Sequence, residues 1–379
     1  MLYLDAAATT PVRREALEAM WPYLTGDFGN PSSHHTVGES AAAALETARA
    51  QVARVLGCRP GEVTFTSGGT EADNQAVKGI ALANPGPRHI VTSSIEHPAV
   101  EESCEYLVRH HGFRVTRVEV DGEGLVKLDA LRQVLAVGAT LCTIMYANNE
   151  VGTVQPVAGI AQIAKEYGVP FHTDAVQAAG WEPLNVKDLG VDALSLSGHK
   201  LGAPKGCGAL YLRGRLHTEP LIHGGGQQRG LRSGTENVAG AVALATALRL
   251  AEEQRVQTVG SVAALRDRFI QSVLDGVDGA MLTGHRSSRL PSIASFCFPG
   301  TSGESVLLEL ERLGVVCSSG SACAAGSDEP SPVLTAMGIE PAIAQTAVRF
   351  SFTSAVTAAE LEAAADAVVT AVATVRGLR

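Results

Sequence analysis

Apolar residues recur at helical spacing early in the chain and then give way to short β-branched runs. Leu17, Met20 and Leu24 fall on one face, and Thr10 with Pro11 just before them reads as an N-cap and first helical position. Leu45, Ala48, Val52, Val55 and Leu56 define a second amphipathic helix that stops at Gly57. Beyond it, β-branched runs at 63–65, 90–91, 115–120, 141–146, 169–171, 193–196 and 209–212 alternate with helical stretches. That alternation predicts an α/β domain with a largely parallel sheet covered on both faces. Ligands of such sheets bind at the carboxyl ends of the strands. A helix near 240–253 leads out of this domain. The remainder mixes helices with strands at 292–298 and 348–352 and closes in a helix opened by the capping box of Thr357 and Glu360. The pattern predicts a large domain over residues 16–255 and a smaller α+β domain built from 1–15 and 256–379.

Composition narrows the function classes. The 379 residues are 45% hydrophobic and 18% charged, as in ordinary soluble globular proteins, and are enough for two domains. A net charge of −9 argues against non-specific nucleic-acid or acidic-membrane binding as the main role. The N-terminal residues lack the basic and apolar regions of a signal peptide, and no apolar run reaches membrane-spanning length. The seven cysteines are scattered and odd in number, with no zinc spacing, so neither a disulfide framework nor a structural metal is indicated. A reducing compartment, the cytoplasm, is the expected location.

The chemistry-bearing residues mostly follow predicted strands. Lys200 stands in Ser197-Gly198-His199-Lys200 after an apolar run, with Gly202, Pro204 and Gly206 behind it. Asp174 and Gln177 lie upstream in Thr173-Asp174-Ala175-Val176-Gln177. A lysine able to form a Schiff base and an acid able to hold a pyridinium nitrogen are the minimal kit of a pyridoxal phosphate (PLP) enzyme. Taken alone, the lysine reads as a solvated surface residue and the acid as a helix N-cap. Ser67-Gly68-Gly69-Thr70 follows a strand and opens a helix, where free N–H groups suit a phosphate. Asn148-Asn149-Glu150-Val151-Gly152 reads equally as a turn or as part of a site.

These pieces, with the late Ser318-Ser319-Gly320-Ser321-Ala322-Cys323 segment, resemble the cysteine desulfurases of the aminotransferase class V family, in their NifS/IscS-like long-loop subgroup. The resemblance runs nearly end to end. It implies PLP-dependent transferase fold type I, with Lys200 forming the Schiff base and Asp174 facing the pyridine nitrogen. Gln177 then reaches the phenolic oxygen and His97, in Glu96-His97-Pro98, stacks on the ring and moves protons. Gly69, Thr70, Ser197 and His199 hold the phosphate, and Asn149 contacts cofactor and substrate. Thr235, in Arg232-Ser233-Gly234-Thr235, reaches the phosphate from a second subunit, which implies a homodimer. Arg349 grips the substrate carboxylate, and Cys323 takes sulfur from L-cysteine as a persulfide, leaving L-alanine. The sulfur passes to an acceptor protein that the sequence does not name; iron–sulfur cluster assembly, tRNA thiolation, DNA phosphorothioation and thio-metabolite synthesis are all open. Gln228 stands where relatives commonly have glutamate, so a local charge contact is expected to be lost. Cys317 is expected to be packing. Another class V reaction, an aminotransferase or a cystine or selenocysteine lyase, is the nearest alternative; a non-catalytic sulfur-relay platform is a more distant one.

Overall fold

The computed structural model describes residues 1–84, 86–319 and 329–378. A seven-stranded sheet carries the larger part of the fold. Its strands, with Leu2–Tyr3 counted as β1, are β2 (Val63–Thr66), β3 (His89–Ser93), β4 (Arg114–Val118), β5 (Leu141–Thr143), β6 (Phe171–Asp174), β7 (Ala193–Ser197) and β8 (Gly208–Leu212). Their spatial order is β2-β8-β7-β6-β5-β3-β4. All neighbours are parallel except β8, which runs against both β2 and β7. Every residue of β3, β6, β7 and β8 is buried. Helices cover both faces, so the polar residues these strands carry, such as His172, Thr173 and Ser195, are buried with the apolar ones.

A second sheet has the order β12-β13-β10-β9, from β9 (Met281–Leu282), β10 (Ile293–Cys297), β12 (Ser318–Ser319) and β13 (Ala347–Ser351). All its pairings are antiparallel. Between β10 and β12 the chain forms β11 (Val315–Val316), which pairs in parallel with β1. Thus the first residues of the chain join its last third. Aromatic edges fill the core beneath this sheet, with Phe269 5.2 Å from Phe350 and 5.7 Å from Phe352 between ring centroids.

The sequence pattern misjudges two helices. The first begins at Arg14, with Arg13 as its cap, not at Thr10 and Pro11. Thr10 is instead drawn to the active-site turn, its N–H and hydroxyl both donating to the His199 carbonyl at 3.1 and 2.9 Å. Leu17 and Leu24 are about half exposed, at 49% and 53%, so the face they mark does not pack into the core of this chain. The helix expected near 240–253 runs unbroken over Val238–Gly276, 39 residues. Residues 252–261 in its middle are all half-buried or exposed, and intrahelical pairs such as Arg249–Glu253 at 2.8 Å support it. No helix among the described residues is long and apolar enough to cross a membrane.

Candidate active site

The carboxyl ends of β2, β3, β5, β6 and β7 converge on a cavity of about 630 Å³. Asp174 is the last residue of β6 and Ser197 the last of β7, and the turn Gly198–Lys200 follows directly. Lys200, Asp174, Gln177, Asn149, Gly69, Thr70, Ser197, His199, His97 and Arg349 all line this one cavity. Thr235 does not. It lines a neighbouring cavity of about 250 Å³ that shares Ser67, Gly206 and Cys207 with the first. Cys323 lies outside the described residues.

The floor is acidic and buried. Asp174 is buried, its Oδ1 accepts the Val176 N–H at 2.8 Å, and burial raises its pKa against the opposing pull of His97 and Lys200. Asp73 beside it is pushed well above the ordinary carboxyl range by burial and by Asp174. Its Oδ1 has no hydrogen-bond partner and stands 3.8 Å from His172 Nε2. His172 is held by Thr143 Oγ1 at 2.8 Å and Ser195 Oγ at 2.9 Å, and burial lowers it to about 3, so it stays neutral. A carboxyl that burial keeps from ionising is stabilised as an anion by a cation placed against it. A protonated pyridine nitrogen is such a cation.

Lys200 Nζ donates to the Ala7 carbonyl and, at 2.7 Å, to that of Ala8. Gln177 Nε2 donates to the same Ala7 carbonyl at 3.1 Å. The strand-end segment from Ala7 to Thr10 therefore orients both residues, and its run of small side chains gave little sign of this in the sequence. His199 Nδ1 lies 3.1 Å from Thr9 Oγ1, and burial with the nearby charges of Lys200 and Lys205 lowers the ring to about 4. His97 caps the Pro98–His111 helix, its Nδ1 accepting the Ala99 N–H at 3.1 Å. With Nδ1 so occupied, the neutral ring carries its proton on Nε2. Burial lowers its pKa, so the neutral form is favoured.

The Ser67–Thr70 turn is shaped for close approach. A Cβ on Gly69 would stand 2.7 Å from the Val176 side chain, and one on Gly208 would stand 2.6 Å from the Gly68 backbone. Helical winding begins at Gly69 and continues to Ala83 through a π turn at Gln75–Gly79. Lys205 adds a cation to the same wall. The residues present fit PLP: an amine, a buried acid at the far side, a planar ring and a glycine-rich helix start.

Arg349 sits in the centre of β13 and is 1% exposed. Its Nη1 donates to the Asn149 carbonyl at 2.9 Å and its Nη2 to Asp5 at 2.7 Å, while the buried Nε has no partner. The guanidinium is thus pre-oriented by two contacts with a donor left over. Glu150, next to Asn149, accepts from Ser331 at 2.5 Å, and burial raises its pKa to about 7.

Glu96, unremarked in the sequence except as a neighbour of His97, is a buried positioning group. It accepts from Ser93 Oγ at 2.5 Å and from the Met145 N–H at 3.0 Å, and burial raises its pKa to about 8 from an ordinary 4.5. Between those two values the folded chain holds a proton that the unfolded chain releases. The corresponding stability is complete below about pH 4.5 and is lost as pH rises through about 8. Glu96→Gln is therefore expected to flatten the fall of stability over this window, by up to about 1.4 kcal/mol per pH unit. Thermal denaturation of both proteins at pH 5, 6.5 and 8 checks it; parallel Tm profiles would contradict it.

Fold and site together define a PLP enzyme of fold type I. The chain belongs to the aminotransferase class-V family, whose sequence profile matches residues 2–364. It is 47% identical over 351 residues to the cysteine desulfurase IscS of Dictyoglomus turgidum, covering 92% of this chain and 89% of that one. To the cysteine desulfurase of Gluconacetobacter diazotrophicus it is 45% identical over 366 residues, covering 96% and 92%. Among solved structures, a NifS-like protein superposes with a TM-score of 0.91 at 37% identity, covering 98% of this chain and 99% of that one. SspA in complex with cysteine superposes with a TM-score of 0.79 at 36% identity, covering 93% and 99%.

Proposed function

We infer that the protein is a PLP-dependent cysteine desulfurase, converting L-cysteine to L-alanine and carrying the sulfur as a persulfide on Cys323. The observation that carries this reading is the gathering of Lys200, Asp174, His97 and Arg349 around one buried cavity. When bound, PLP supplies an aldehyde that joins amines and a ring that takes up the electron pair left at the substrate α-carbon.

The chain's own groups do the rest. Lys200 would hold the cofactor covalently, and its amine would be the group that moves the α-proton. Asp174 keeps the ring nitrogen protonated, and Gln177 and Asn149 orient ring and substrate. His97 Nε2 is placed to exchange a proton above the ring plane. Arg349 takes the substrate carboxylate with its unpartnered Nε. The Cys323 thiolate attacks the substrate sulfur: an S–S bond forms, the C–S bond breaks, and protonation of the remaining carbon skeleton gives alanine.

Both flanks of the segment holding Cys323 are tied to Arg349, which lines the cavity, or to Glu150 beside Asn149. Ser318 pairs with Arg349 across β12 and β13, and Ser331 bonds Glu150. We also propose a homodimer in which Thr235 serves the phosphate of the other subunit, and an acceptor protein that removes the sulfur. Its position outside the main cavity of its own chain supports that role for Thr235. The described cysteines are all free thiols, which suits the reducing cytoplasm. The division at residues 255 and 256 remains our reading of the two domains.

Product analysis tests the reaction class. Purified PLP-loaded protein given L-cysteine and a reductant should release alanine and sulfide without any 2-oxo acid. A dependence on a 2-oxo acid acceptor, with amino transfer to it, would make the protein an aminotransferase.

A further inference from the structure

We propose that Gln228 is a positioning residue that clamps the phosphate-binding turn to the segment carrying Thr235. The inference rests on the reading of Gly69 and Thr70 as phosphate ligands. Gln228 is 5% exposed, and it and Arg229 adopt φ of 49° and 59°, the left-handed region that residues with a Cβ avoid. Two consecutive residues held there need surroundings that fix them, and such sites gather where function depends on backbone placement.

Gln228 supplies that fixing. Its Oε1 accepts from Arg49 Nη1 and from the Phe65 N–H, both at 2.9 Å, and its Nε2 donates to Glu236. Arg49 is itself buried, lies 5.1 Å over the Phe65 ring and donates to the Val63 carbonyl at 2.7 Å. Arg229 reaches the same carbonyl at 2.6 Å. Further along, the Leu231 carbonyl accepts from Gln75 at 2.8 Å and Arg232 pairs with Glu71 at 2.9 Å. Glu71 in turn accepts the Ser67 N–H at 2.9 Å.

Apart from the Gln228 bonds to Arg49 and Glu236, these ties run to β2, which delivers the phosphate turn, or to the helical segment that leaves it. The chain from Gln228 to Glu236 is therefore one rigid unit with that turn, and the gap between Thr235 and Ser67 across their shared cavity is set by it. An amide suits the position because its oxygen takes two donors while its nitrogen meets a carboxylate. The lost charge contact expected from a glutamine here is replaced by the Gln228–Glu236 bond. In the proposed homodimer the same clamp joins the phosphate turn of one subunit to the segment serving the other.

The test is titration of the apoprotein with PLP and, separately, with pyridoxal, which lacks the phosphate, read by visible absorbance. Gln228→Leu should raise the Kd for PLP about tenfold or more while leaving that for pyridoxal unchanged, the scale of one or two lost buried hydrogen bonds. Gln228→Glu keeps an acceptor for Arg49 and Phe65 but sets a carboxylate against Glu236, so its loss should also be phosphate-selective and smaller than that of Gln228→Leu. If Gln228→Leu does not fold, Arg232→Gln, which cuts a partly exposed tie, should show the same phosphate-selective loss in smaller degree. Equal weakening of both ligands, or no weakening, overturns the clamp. Failure of the wild-type apoprotein to prefer PLP over pyridoxal overturns the phosphate-site reading beneath it.

Discussion

Lys200→Ala is expected to abolish desulfuration and to leave protein without the long-wavelength absorbance of covalently held PLP. In the proposed reaction this amine joins the cofactor aldehyde and moves the substrate α-proton. Its position is fixed by the Ala7 and Ala8 carbonyls at the end of the turn leaving β7. Turnover should fall to about one ten-thousandth or less, the scale on which loss of a nucleophile or proton-transfer group is felt. The fold should survive, because alanine leaves no buried charge behind and the two carbonyls face a cavity that admits water. Absorbance spectra and alanine release from the same preparation check both halves. Full activity in Lys200→Ala would end the PLP-lysine assignment.

Arg349→Lys is the second large effect. Arg349 meets Asp5 and the Asn149 carbonyl with two nitrogens, and in the proposed reaction its remaining N–H groups would meet the substrate carboxylate. Lysine retains the positive charge, and with it the partner for Asp5, but has no planar fork and cannot serve three directions at fixed angles. Loss of a charged hydrogen bond to the substrate carboxylate, about 1.5–3 kcal/mol, corresponds to a rise in KM of about ten- to a hundredfold. The PLP absorbance should be unaltered. Steady-state kinetics beside the spectrum separate this from a failure of cofactor binding. An unchanged KM would remove Arg349 from the substrate site. Arg349→Ala is a poorer probe, since it also leaves Asp5 without its buried partner, a loss of about 3–5 kcal/mol.

The succession of strands along the chain was legible because short β-branched runs alternate with helical stretches, and several of those runs end in a motif. Lys200, Asp174 and the Ser67–Thr70 turn follow such strands, while their roles and that of His97 came from the family resemblance. Asp73 and Glu96 were not singled out. A buried acid looks like any surface acid until its neighbours are known, and those neighbours, His172 and Met145, come from other strands. Thr10 misled for a related reason: Thr-Pro is a sound helix start locally, but its hydroxyl and N–H are claimed by His199, 189 residues away in sequence. The polar middle of Val238–Gly276 hid a continuous helix, because a segment with no single core to face shows no single apolar stripe. The contacts of Gln228 span the chain from Arg49 to Glu236 and have no sequence signature at all.

The most direct test of desulfuration is alanine release from L-cysteine by the PLP-loaded protein, measured beside Cys323→Ala. The account predicts catalytic alanine with a persulfide on the wild-type chain, and PLP absorbance without alanine or persulfide in the mutant. Alanine release undiminished by the mutation would contradict it and return the protein to the lyases or aminotransferases of its family.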